Sequence, residues 1–162
     1  MGLASFEDRD LIVPRPVSFV YWLDLSVSPP AVLDSKQFPA LVLNLRLAGN
    51  HLVLTAASDY CCDNDLVFWE LGSEPQSLAD RPDLPRASKL LAFDGRAAYA
   101  SGSWYDAEYN LHSGLYVVPW NRIAPAQVVE TQTPPTSVAK TNHGLVVGSL
   151  DELVTIRPYC GE

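Results

Sequence analysis

The chain repeats itself. Four short stretches, Trp22-Leu23-Asp24-Leu25, Phe68-Trp69-Glu70-Leu71, Val117-Val118-Pro119-Trp120 and Thr155-Ile156-Arg157-Pro158, read as successive copies of one β-strand, and Pro30, Pro75 and Pro125 follow the first three at nearly the same offset. A turn signal precedes an apolar run three times: Gly49-Asn50-His51, Asp94-Gly95-Arg96 and Asn142-His143-Gly144. Aligned on those runs, Leu54, Tyr99 and Val147 stand 45 and 48 residues apart, and Pro39, Pro85 and Pro135 stand 46 and 50 apart. Three markers agree on one period. A unit of that length cannot bury an apolar face alone, so neighbouring units must stack and share a core.

The local chemistry is that of strands. Asp-Gly, Gly-Asn and Asn-His-Gly tolerate the positive φ of tight hairpin turns, and the flanking runs are rich in Leu, Val, Tyr and Trp. Prolines fall between the runs, with Pro119 marking an edge or a strand end. No long stretch keeps a 3.6-residue apolar period, so little or no helix is expected. The resulting map has four units, at about 10–35, 40–80, 86–131 and 136–157, within a single domain over 1–162. The first has strands near 10–14, 17–25 and 31–34, the second near 43–48, 51–57, 66–71 and 76–79. The third has strands near 88–93, 97–103, 114–119 and 126–130, and the fourth near 137–141, 144–149 and 152–157.

A hydrophobic content of 48% supports a folded core, and 13 prolines and 9 glycines, spaced rather than clustered, belong to many short turns. The net charge of −8 and scattered arginines argue against nucleic acid, whose phosphates would be repelled. No apolar run approaches the roughly 20 residues of a membrane helix, and the acidic N-terminus does not read as a secretory signal. A cytoplasmic location is the expectation. Three cysteines, Cys61, Cys62 and Cys160, do not make a disulfide framework and are read as free thiols.

The pattern resembles the β-propeller repeats of the WD40-like and LVIVD-type class. A strand of the form Trp/Phe-x-Asp/Glu-Leu-Ser/Gly precedes a Pro-x-x-Leu/Val segment in Leu23-Asp24-Leu25-Ser26 with Pro30-Ala31-Val32-Leu33, and in Trp69-Glu70-Leu71-Gly72 with Pro75-Gln76-Ser77-Leu78. The third copy departs, with Pro119-Trp120-Asn121 before Pro125-Ala126-Gln127-Val128, and the Gly-His and Trp-Asp dipeptides of WD40 repeats are not in register. The resemblance implies an all-β, propeller-like array of four-stranded antiparallel blades, incomplete as a single chain at about three and a half blades. Such an array cannot close, and open edges and apolar faces invite association. The expected partner is a second copy, twice three and a half making seven blades, or another chain that completes the ring; the alternative is that the chain is a fragment of a longer gene product.

Two loops carry the candidate functional residues. Asp59, Asp63 and Asp65, beside Asn64, offer hard oxygen ligands for Ca²⁺ in the loop 58–65, without the Gly and distal Glu of an EF-hand; the alternative is a solvated acidic loop, with no cofactor. The loop 102–113 gathers Trp104, Tyr105, Asp106, Glu108, Tyr109 and His112. Aromatic side chains among a few polar groups suit recognition of a protein or small ligand, while Trp104 and Tyr105 equally suit a plug between blades. His51 and His143 read as exposed and inert. No nucleophile elbow, phosphate-cradling glycine loop or His-Glu-x-x-His occurs. The function expected is therefore a non-catalytic binding or scaffolding module. The alternative is a propeller-type hydrolase or lyase, or a metal-binding protein, with a site formed only on ring closure.

Overall fold

The computed structural model describes residues 17–57, 64–78, 87–121, 124–142, 144–150 and 153–156. Among them there is no helix, and the strands form four antiparallel sheets in chain order. The first sheet holds β1 (Ser18–Asp24) and β2 (Ala31–Phe38). The second holds β3 (Leu41–Ala48), β4 (His51–Ala57), β5 (Asn64–Glu70) and β6 (Gln76–Ser77). The third holds β7 (Ala87–Phe93), β8 (Ala97–Tyr105), β9 (Leu111–Pro119) and β10 (Gln127–Thr131). The fourth holds β11 (Ser137–Thr141), β12 (Gly144–Gly148) and β13 (Leu153–Ile156). The all-β expectation holds, and consecutive strands pair as the hairpin signals imply. Gly49 and Gly95, at φ +59° and +85°, supply the left-handed residue in the turns before β4 and β8.

The sheets pack face to face in chain order through three apolar clusters. Val20, Trp22 and Phe38 of the first sheet meet Leu52, Leu54, Val67 and Trp69 of the second. The opposite face of the second sheet, with Val53, Leu66 and Phe68, meets Leu90, Ala98, Ala100, Tyr116 and Val118 of the third. Tyr99 and Leu115, on the far side of the third sheet, meet Val147 of the fourth. Successive residues of a strand point to opposite faces, so a strand covered on both sides must be apolar throughout. Leu52-Val53-Leu54 and Leu66-Val67-Phe68-Trp69 are such runs, and all seven residues are buried. The same alternation corrects the alignment of the second strands. Leu54 and Val147 face the preceding sheet, whereas Tyr99 faces the following one; Ala100 is their true counterpart. An offset of one residue turns a side chain to the other face.

Trp120 joins the second and third sheets. Its ring stacks on His51 at 4.3 Å and on Phe68 at 4.8 Å, and lies 5.4 Å from Phe93. His51 is therefore half-buried structure and not an exposed, inert group, and it also lies 3.6 Å from Glu70 Oε1. Polar ties also link the first three sheets. Asp34 Oδ2 accepts from the Gly72 N–H at 3.2 Å, and Lys36 donates to Glu74 at 2.6 Å, between the first and second sheets. Arg46 Nε donates to the Leu91 carbonyl at 3.3 Å, between the second and third.

Candidate functional site

β8 and β9, nine residues each, are the longest strands among the described residues. The expected loop 102–113 shrinks accordingly to 106–110, because cross-strand pairs extend the ladder outward. Ser103 and Ser113 are opposed and share a hydroxyl hydrogen bond of 2.9 Å; Trp104 faces His112, and Tyr105 faces Leu111.

One carboxylate organises the turn. Asp106 Oδ1 accepts from the Glu108 and Asn110 N–H groups at 2.8 and 2.9 Å, and Oδ2 accepts from Asn110 Nδ2 at 3.0 Å. His112 Nε2 lies 2.9 Å from the same Oδ2, and the Asp106 backbone bonds Tyr109 and Asn110 at 3.1 Å each. The hydrogen bonds from Asn110 and His112, then from the backbone, hold the Asp106 carboxyl well below the usual carboxylate range. The hydrogen bond to Asp106 raises the His112 pKa above its ordinary 6.5, with the Glu130 carboxylate, 3.9 Å from Nδ1, adding to it.

The hairpin tip has two faces. Trp104 stacks on His112 at 5.6 Å and sets its edge on buried Tyr116 at 5.7 Å. Gly114 makes room for this packing: a Cβ there would stand 2.6 Å from the Val129 carbonyl oxygen and 3.3 Å from Trp104. Trp104 and His112 are thus framework. On the other face Tyr105 and Leu111 are 67% and 62% exposed, and Tyr109, at the turn, is 86% exposed. Tyr109 also sits at φ +63°, a left-handed conformation that a bulky residue rarely adopts. Glu108 is exposed beside it.

Of the six residues expected to bind, Trp104, Asp106 and His112 hold the hairpin, while Tyr105, Glu108 and Tyr109 face solvent. Leu111 completes the exposed patch. Its pairing with Tyr105 follows from strand alternation once the turn is placed at 106–110. Asp65 belongs to β5, paired with Ala56, and is not a loop residue; Asp59, Asp63, Cys61, Cys62, His143 and Cys160 lie outside the described residues. Among the described residues no cluster of three or more His, Cys, Asp or Glu is arranged to hold a metal ion.

A second polar cluster ties the third sheet to the fourth. Asp94 Oδ1 accepts from the Arg96 and Ala97 N–H groups at 2.9 Å, and Oδ2 accepts from the Tyr99 hydroxyl and from Lys140. Burial raises the Asp94 pKa, but the hydrogen bonds from Lys140 and its other donors outweigh it and hold the carboxyl well below its ordinary value. Burial, with the Asp94 charge, pushes Tyr99 up to about 12. A cavity of about 360 Å³ lies beside this cluster, lined by Tyr99, Val117, Val129, Lys140 and Leu145. No protein-family model, curated protein or solved structure matches the chain.

Proposed function

We propose that this chain is a propeller-like array of sheets that acts as a non-catalytic recognition module, with the β8–β9 tip as its contact surface and a protein segment as its ligand. The observation that carries the reading is Tyr109: a large aromatic side chain, 86% exposed, on a backbone at φ +63°. Glycine would serve that turn at lower cost, and strained, exposed residues on an over-determined frame are typical of binding sites. Tyr105 and Leu111 extend the patch, and aromatic residues contribute much contact area for little lost entropy. Asp106 holds the patch in place before any ligand arrives, which reduces the ordering cost of binding. The propeller-like arrangement is supported by the recurrence of four-stranded antiparallel sheets packed face to face in chain order.

Panning a displayed peptide library on the wild-type chain, with parallel panning on a Tyr105→Ala/Tyr109→Ala variant, tests this. Enrichment of peptides that bind the wild type and lose at least about tenfold in affinity for the variant is expected. Peptides that bind both chains equally would overturn the reading.

A further inference from the structure

The boundary between the third and fourth sheets repeats the boundary between the second and third in position, but not in contents. With Ala100 aligned on Leu54, Tyr99 takes the place of Val53, Val117 that of Phe68 and Val129 that of Leu78. The cross-strand pairs agree: Val53 pairs with Phe68 and Phe68 with Gln76, as Tyr99 pairs with Val117 and Val117 with Gln127. On the facing sheet Leu145 takes the place of Ala98, and its β11 partner Lys140 takes the place of Phe93.

At the second–third boundary these positions are packed core. Val53, Phe68 and Leu78 are buried with Phe93 against them, and the Trp120 ring lies 4.8 Å from Phe68 and 5.4 Å from Phe93. At the third–fourth boundary a valine and a lysine stand where the two phenylalanines were. There lies the cavity of about 360 Å³, walled by Tyr99, Val117, Val129 and Leu145. The space follows from the residues that line it. A valine does not reach as far as a phenyl ring, and an ammonium group stays out of an apolar interior.

Among the described residues of the lining, Lys140 alone carries a charge. It is paired but not used up. Asp94 Oδ2 takes one of its three N–H donors, while the Tyr99 hydroxyl and the Arg96 and Ala97 N–H groups also donate to that carboxylate. The Lys140 side chain, 58% exposed, keeps donors for a second acceptor. Gln127, exposed on β10, adds an amide at the rim. The cavity is of the size that holds a small ligand, its walls are aliphatic and aromatic, and its charged group calls for an acceptor.

We propose that this cavity binds a small organic acid, with the carboxylate on Lys140 and an aromatic or branched aliphatic body between Val117, Val129, Leu145 and the Tyr99 ring. The site is separate from the β8–β9 tip. Tyr99 stands six residues from Tyr105 along β8, about 20 Å, at the end of the strand that carries the Asp94 turn. It stands whether or not the tip binds peptides.

An amide-resolved NMR titration of the chain with 3-phenylpropionate, beside its neutral amide and 3-phenylpropylamine, tests the proposal. The acid, of about 11 heavy atoms, is expected to bind with a dissociation constant on the order of 1 mM. It should shift the amides of Tyr99, Val117, Val129 and Leu145 and leave those of Tyr105 and Leu111 in place. The neutral amide should bind about tenfold more weakly, and the amine not at all. Lys140→Met should weaken the acid about tenfold, to the level of the neutral amide, and Val129→Phe, which puts a ring into the cavity, should abolish binding of both. The three probes decide on the wild type alone, so the test survives a variant that fails to fold. Shifts absent at about 20 times the expected dissociation constant, shifts spread over the apolar surface, or equal binding of acid and amine overturn the proposal. Undiminished binding of the acid to folded Lys140→Met overturns it as well.

Discussion

Leu45 and Leu90 are the same residue at the same place in successive sheets, and only one of them is covered. Leu90 is fully buried between the second and third sheets; Leu45, 47% exposed, looks onto a groove beside the first sheet, which among the described residues holds β1 and β2. Tyr21 and Leu23 differ in the same way from Val67 and Trp69. A repeat sets which residues face a neighbour, and the number of neighbouring strands sets whether that face is core or surface.

The largest expected effect tests this directly. Leu90→Ala removes a fully buried side chain and should cost about 3 kcal/mol in denaturant unfolding of the dilute single chain. Leu45→Ala under the same conditions should cost less than about 1 kcal/mol. Equal losses would break the comparison. Trp120→Ala comes next, at about 2 kcal/mol, since the ring that bridges His51, Phe68 and Phe93 is partly rather than wholly buried.

Tyr109→Gly should act in the opposite direction, stabilising the chain by about 1 kcal/mol by relieving the left-handed backbone while weakening selected peptides. No gain in stability would mean that Tyr109 makes compensating contacts within the chain. The smallest effect is electrostatic and confined to the tip. The raised pKa of His112 means its contribution is complete below pH 6.5 and is lost as pH rises through the raised value. The lowered pKa of Asp106 means its contribution is complete above pH 3.8 and is lost as pH falls through the lowered value. The pair therefore supports the turn best between those limits. An NMR titration should place His112 above 6.5, and Asp106→Asn should bring it back towards 6.5.

The strands were legible because each turn signal and apolar run is local: Gly49, Gly95 and Pro119 mark boundaries where they stand. Facing was less so, since Tyr99 aligned by spacing with Leu54 and Val147 yet points the other way, and spacing good to a few residues cannot fix a period of two. At the tip, composition identified the segment but not the division of labour. Trp104 and His112 look like a binding surface in sequence; only the approach permitted by Gly114, and Tyr116 beneath, make them framework. Leu111 was overlooked because nothing local pairs it with Tyr105 until the turn is shortened to 106–110. The role of Trp120 depends on its contact with His51 and Phe68 of another sheet, which no local stretch of sequence reveals.

Peptide-resolved hydrogen exchange of β1 against β5 tests the comparison most directly. The account predicts that amides of β5, paired with β4 and β6 and buried on both faces, are strongly protected, whereas those of β1, with Tyr21 and Leu23 half exposed, exchange faster. Protection of β1 equal to that of β5 would contradict it.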